Sequence, residues 1–302
     1  MAVALPLPTR CEATLRGHDG SVLCVRYNKD GKYCLSGGAD RTVRLWNPHK
    51  GFLVKTYNAH AHRVLGVCSS ADNSMMASVG GDKTVFYWDV STGQVVRKFR
   101  GHDQCVNAVE FGAGQDVLVT GSYDRSVRVW DCRSKSWDPV QTMDAFGDSV
   151  TAVAVHGTSI IASSVDGTVR TFDIRRGEVI TDRLHQPVTH IALSNDGNCV
   201  LASRLDSRLL LLERGSGDVL NEYAGHRNSE FKIQSCFSNT DAHVVSGSED
   251  GKIVFWDLVE GTVVHTLSQH TSVVTSVAYH PQPGEISMLS SDVSGSIKHW
   301  KA

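Results

Sequence analysis

Long apolar runs are missing from this 302-residue chain; its hydrophobic stretches are short, strand-like pieces such as Leu209 to Leu212. A membrane-spanning helix needs roughly 20 such residues in a row, so no membrane partner is expected. The first residues, Met1 to Thr9, are apolar but carry neither a basic segment nor a long apolar core, so they do not read as a secretory signal. The expected address is the cytoplasm and nucleus. A surplus of either charge is also missing. With 30 Lys and Arg against 32 Asp and Glu, the net charge is −2 and the isoelectric point lies near 6.7. No strong field therefore draws in a polyanion, and direct sequence-specific binding of nucleic acid is not expected. Cysteine pairs are absent too. The eight cysteines, Cys11, Cys24, Cys34, Cys68, Cys105, Cys132, Cys199 and Cys236, form no CxxC, which argues against a zinc ribbon and against a disulfide framework. They are expected to be reduced and to pack as small hydrophobes. Neither a convincing amphipathic helix nor a phosphate-binding glycine motif in strand-to-helix context is present, so no nucleotide or other cofactor is implied.

What is present is a repeat. Asp40, Asp82, Asp124, Asp166, Asp206 and Asp250 are 42, 42, 42, 40 and 44 residues apart. Six residues after each stand Trp46, Trp88, Trp130, Phe172, Leu212 and Trp256, and a seventh unit ends at Trp300 with Ser294 at the expected Asp position. Upstream lies a Gly-His landmark or its worn form: Gly17-His18, Ala59-His60, Gly101-His102, Ala145-Phe146, Leu184-His185, Gly225-His226 and Gln269-His270. Between landmarks, Val-rich runs such as Val106 to Phe111 and Ser126 to Trp130 alternate with Gly, Asn and Asp, the pattern of short strands and tight turns. One unit of about 42 residues cannot bury both faces of its strands, so units must stack to make a core.

The landmarks, together with Trp88-Asp89, Trp130-Asp131 and Trp256-Asp257, resemble the WD-repeat family. That resemblance implies an all-β, seven-bladed propeller with four strands per blade. The expected organisation is a short tail over 1–11 and a single propeller over 12–302. The segment Glu12 to Arg16, just before the first Gly-His, should supply the missing outer strand of the last blade and close the ring, removing open edges.

His18, Ser36, Asp40 and Trp46 recur as His60, Ser78, Asp82 and Trp88, as His102, Thr120, Asp124 and Trp130, and as His226, Ser246, Asp250 and Trp256. Ser, His and Asp invite comparison with a catalytic triad, but a triad occurs once per active site, whereas this set occurs four times with a Trp attached. The resemblance implies a structural role, a buried hydrogen-bond chain that ties each turn to the loop before its blade. Ala162 and Ala202 break the set in units four and five, and Ser294 is expected to break it in unit seven. Landmark histidines on different blades lie too far apart to share one metal ion. No catalytic or metal site is expected.

Several stretches, among them 80–90, 93–102, 130–134 and 249–261, further resemble the mitogen-activated protein kinase organizer family of WD-repeat scaffolds. That resemblance implies a role in holding kinase-cascade components together and a place in pre-mRNA splicing complexes with splicing factors. A second reading starts from Asp131 and Arg133, matched by Asp173 and Arg175, which fit the WDxR box of substrate receptors that dock on a ubiquitin-ligase adaptor. Because propellers use their loops for contacts, the candidate partner-binding residues are Arg41, Lys83 and Arg125 in equivalent turns, Arg63 and Gln104 beside them, Phe231 and Lys232 in a longer loop of the sixth unit, and Trp137 on the opposite face.

Overall fold

The computed structural model describes residues 6–114 and 116–302. In it, 28 strands numbered β1 to β28 in chain order form seven four-stranded antiparallel sheets. Each sheet is a blade. Its three inner strands are largely buried, and the outer strand alternates, as in Val95–Arg100, where Phe99 turns inward while Val96 and Lys98 turn outward. That alternation follows from the two-residue side-chain period of a strand with one face covered.

The core lies between blades. Cys24, Leu35 and Val43 of the first blade pack on Val64, Val67, Met76, Phe86 and Trp88 of the second, and equivalent clusters fill the other gaps. Six clusters of this kind do not make a ring; the seventh does. There Leu15, Leu289 and Ile297 meet Val22, Val25, Cys34 and Trp46. The closing blade is built from β1 (Arg10–Arg16) paired antiparallel with β28 (Ser296–Lys301), followed by β27 (Ser287–Asp292) and β26 (Val274–Tyr279). β1 starts two residues before Glu12, and Leu7 and Cys11 already pack against the last blade's core, so ordered packing reaches into the segment expected to be a tail.

Two faces result. Inner strands such as β2 (Val22–Tyr27) run away from the landmark loops. The landmark loops and the turns after the tetrad serine therefore share one face, tied by bonds such as Ala39 N–H to Ser21 O and Gly81 N–H to Arg63 O. The hairpins after the inner strands and the turns before the outer strands share the other.

Candidate protein-docking face and central channel

Three of the expected tetrads are assembled as read. In each, Trp Nε1 donates to the Ser or Thr oxygen, that hydroxyl donates to His Nε2, and His Nδ1 donates to the Asp carboxylate, with distances of 2.7 to 2.9 Å. The central side chains are buried. Burial pushes the Asp124 carboxyl up, but hydrogen bonds from His102 and Ser126 outweigh it and hold the group well below the usual carboxylate range.

The fourth expected set is not assembled. His226 is buried with neither ring nitrogen hydrogen-bonded among the described residues. Trp256 Nε1 donates instead to the carbonyl of Ala224 at 2.8 Å, and Asp250 pairs with Lys252 at 2.7 Å. In the first three blades the tetrad Asp also accepts the amide that follows the histidine, whereas here the Arg227 amide donates to the hydroxyl of Ser248 at 2.9 Å. In the seventh blade the outcome reverses: His270 reaches Asp292 at 2.7 Å and Ser290 at 2.6 Å, and Trp300 donates to Ser290 at 2.7 Å. Asp292 occupies the place of Gly38 in the first blade. A Cβ built on Gly38 would fall 2.6 Å from His18 Nδ1 and 2.7 Å from Asp40 Oδ1, so a side chain rooted there points straight into the His–Asp junction. Ser294, at the vacated Asp position, donates to Asp292 at 2.6 Å.

Arg41, Lys83 and Arg125 are exposed on the landmark face, and no ion pair or side-chain hydrogen bond engages them among the described residues. Their backbones are left-handed, with φ of 67°, 62° and 68°, whereas the equivalent turns of blades four, six and seven place Gly167, Gly251 and Gly295 there. A side chain in that conformation costs on the order of 1 kcal/mol relative to glycine. Three consecutive blades thus keep a long cation where glycine fits better. Arg63 and Gln104 are exposed beside them, as is Tyr123. Asp19 and Asp103 are exposed nearby, and the tetrad carboxylates Asp40, Asp82 and Asp124 lie next to these cations. With Arg44 and Arg128 paired to Asp40 and Asp124, the sector keeps a small positive excess, carried by the exposed Arg41, Arg63, Lys83 and Arg125.

Phe231 lies on the same face and is 39 % exposed. Lys232 does not. Its ammonium donates to the carbonyls of Asn107 at 2.9 Å and Thr151 at 2.6 Å, crossing from blade six to the second residues of the inner strands of blades three and four. It therefore closes the central channel at the landmark face rather than lining a surface. Beyond it the channel widens into a funnel of about 410 Å³ that opens on the opposite face among Lys29, Asn195, Asn239 and Pro281.

On that opposite face Trp137 is 68 % exposed, beside Val140 at the same value. Its loop is held from beneath by the guanidinium of Arg97, which donates to the carbonyls of Asp131, Cys132, Ser134 and Ser136. Asp131 accepts the amides of Arg133 and Ser134, Asp173 those of Arg175 and Arg176, and Asp257 those of Val259 and Glu260. The Asp of the box-like pair is thus a turn cap in blades with and without the Arg. Arg133 is exposed and bridges Asp116 at 3.2 Å. Among the described residues, no group of three or more His, Cys, Asp or Glu side chains is placed to hold a metal ion, and no helix is long and apolar enough to cross a membrane.

The family described as "WD domain, G-beta repeat" matches residues 9–47, 51–89, 93–131, 137–173, 217–257 and 261–301. Most of the fifth blade, whose tetrad positions hold Ala202 and Leu212, falls outside these matches although its sheet is complete. WD repeat domain-containing protein 83 of Rattus norvegicus is 54 % identical over 98 % of this chain and 93 % of its own length. The protein of that name from Homo sapiens is 50 % identical over the same shares. A homolog from Dictyostelium discoideum is 33 % identical over 96 % of this chain and 97 % of its own length.

Proposed function

The chain belongs to the WD-repeat family, a fold for protein–protein interaction, and from that premise we propose that it is a non-catalytic scaffold that docks acidic protein segments on the Arg41, Lys83 and Arg125 sector. The observation that carries the reading is the trio of unpaired cations kept in left-handed turns on three adjacent blades. Like charges so placed reinforce one another and steer an acidic partner during approach. Tyr123 and Phe231 add exposed aromatic surface to the same face, the residue class that supplies binding hot spots. The proposed company is kinase-cascade components and pre-mRNA splicing complexes, in cytoplasm and nucleus, supported by the sequence stretches that resemble the kinase-organizer scaffolds. Affinity capture from native extract tests this with the wild-type chain and a variant carrying Arg41→Glu, Lys83→Glu and Arg125→Glu. Kinase-cascade or splicing proteins should be retained by the wild type and depleted at least several-fold from the variant at equal folding. Recovery of a ubiquitin-ligase adaptor that is lost on Arg133→Ala, with neither of the other classes present, would replace the proposal by the receptor reading.

A further inference from the structure

The channel constriction has more hydrogen-bond donors than acceptors. Arg26, His190 and Gln234 line both the open funnel and the narrow space beneath Lys232, so the four side chains converge from the first, fifth and sixth blades and the long loop. His190 is buried, and its Nδ1 accepts the Ser235 amide at 3.3 Å. The ring proton therefore sits on Nε2, which has no hydrogen-bond partner among the described residues. Gln234 uses its Oε1 to accept Ser276 Oγ at 2.5 Å, which leaves its amide hydrogens for the lumen. Arg26 meets Glu110 through Nη1 alone, and 36 % of its side chain stays exposed, toward the channel it lines. Among the described residues, Glu110 is the single carboxylate lining the funnel, against Arg26, Lys232 and, at the mouth, Lys29.

From this geometry we infer that the channel holds a small oxyanion, a carboxylate or phosphate group, bound by Arg26, His190, Gln234 and Lys232 and admitted through the funnel on the face opposite the cationic sector. An oxyanion accepts several donors at once and matches the flat edge of a guanidinium. It would also relieve the mutual repulsion of two cations inside the ring. Burial, opposed by Cys24 and reinforced by Arg26, brings the Lys232 amine down to about 8, so it remains mostly charged near neutral pH. Ala154, Ala192 and Ala278 line the funnel with small side chains, which leaves room for more than a bare ion.

The anion's source is either a free small molecule or an acidic side chain inserted by a partner, and probes of both kinds separate them. The His190 ring is followed by NMR while sodium acetate, inorganic phosphate, or a blocked tripeptide with a central Glu is added at constant ionic strength, with chloride as the reference. A saturable shift with Kd of about 10 mM or tighter is expected for at least one oxyanion probe and none for chloride. Acetate or phosphate acting alone identifies a free ligand; the peptide acting as strongly or more strongly identifies a partner's side chain. The variant Arg26→Met with Glu110→Met removes both members of the ion pair and should weaken the response at least tenfold; Lys232→Met is the second variant, for use if that one fails to fold, with the same expected loss. No saturable response to any probe, or an unchanged response in the folded variant, overturns the site.

Discussion

Asp124 accepts hydrogen bonds from His102 Nδ1, from Ser126 Oγ and from the amides of Asp103 and Ser126. Its removal leaves buried donors with no acceptor, and each such loss costs about 1 to 3 kcal/mol. Asp124→Ala should therefore destabilise the ring by about 2 to 4 kcal/mol. Asp292→Ala should match it, since Asp292 gathers His270, Ser294 and Ser296. Asp250→Ala should cost within about 1 kcal/mol, the worth of an exposed pair with Lys252. Denaturant midpoints for the three variants check the ranking, and a loss for Asp250→Ala as large as that for Asp124→Ala would contradict the assembled and unassembled tetrads described above. The first three tetrads are legible in the sequence because His, Ser or Thr, Asp and Trp keep one spacing. Asp292 escapes that reading because it is rooted two residues early, at a glycine position. The signal was available: His270 and Asp292 are 22 residues apart, the same separation as His18 and Asp40.

The loop 227–232 is the element whose behaviour the sequence hides most. Its extra length is visible as a separation of 24 between His226 and Asp250, but where the surplus goes depends on the closed ring. Glu249 accepts the amides of Ser229, Glu230 and Phe231, Lys232 is drawn into the channel, and His226 is left without a partner among the described residues. Arg26 and Glu110, 84 residues apart, likewise meet only because the ring brings blades one and three together. Burial lowers the His226 pKa to about 4, against partial opposition from Asp206 and Asp250. The unfolded chain, with a value near 6.5, takes up the proton first. The associated stability is therefore complete above about pH 7 and is lost as pH falls from 6.5 toward 4, with a ceiling of about 3 kcal/mol. His226→Phe should leave stability at neutral pH unchanged or higher, because no hydrogen bond is lost, and should flatten the slope of stability against pH between 6.5 and 4. Part of that slope should persist through His299, which burial also lowers to about 4. Equilibrium unfolding at a series of pH values gives both quantities, and a large loss at neutral pH would show that His226 does have a partner that matters.

For the whole molecule, closure makes seven marginal sheets into one ring, and the closed ring gives each face its own chemistry. One face gathers unpaired cations over adjacent blades. The other carries the funnel, with Trp137 on a loop braced by Arg97. Blade count, ring closure and the sharing of a face by Arg41, Lys83 and Arg125 follow from the repeat and are readable from residue spacing. The plug at Lys232 and the donor-rich channel are not, since they depend on which inner-strand residues meet across the ring.

The claim that the cationic sector is a docking surface is tested most directly by replacing Arg41, Lys83 and Arg125 together with glycine. This removes three charges and relieves three left-handed backbones at once, so stability and binding should move in opposite directions. The melting temperature should stay level or rise, by the equivalent of up to about 1 kcal/mol per site less the entropy that glycine adds to the unfolded chain. The association rate with a partner captured by the wild type should fall, most strongly at low ionic strength where charge is unscreened. An unchanged association rate at low salt, in a variant as stable as the wild type, would contradict the docking role of this face.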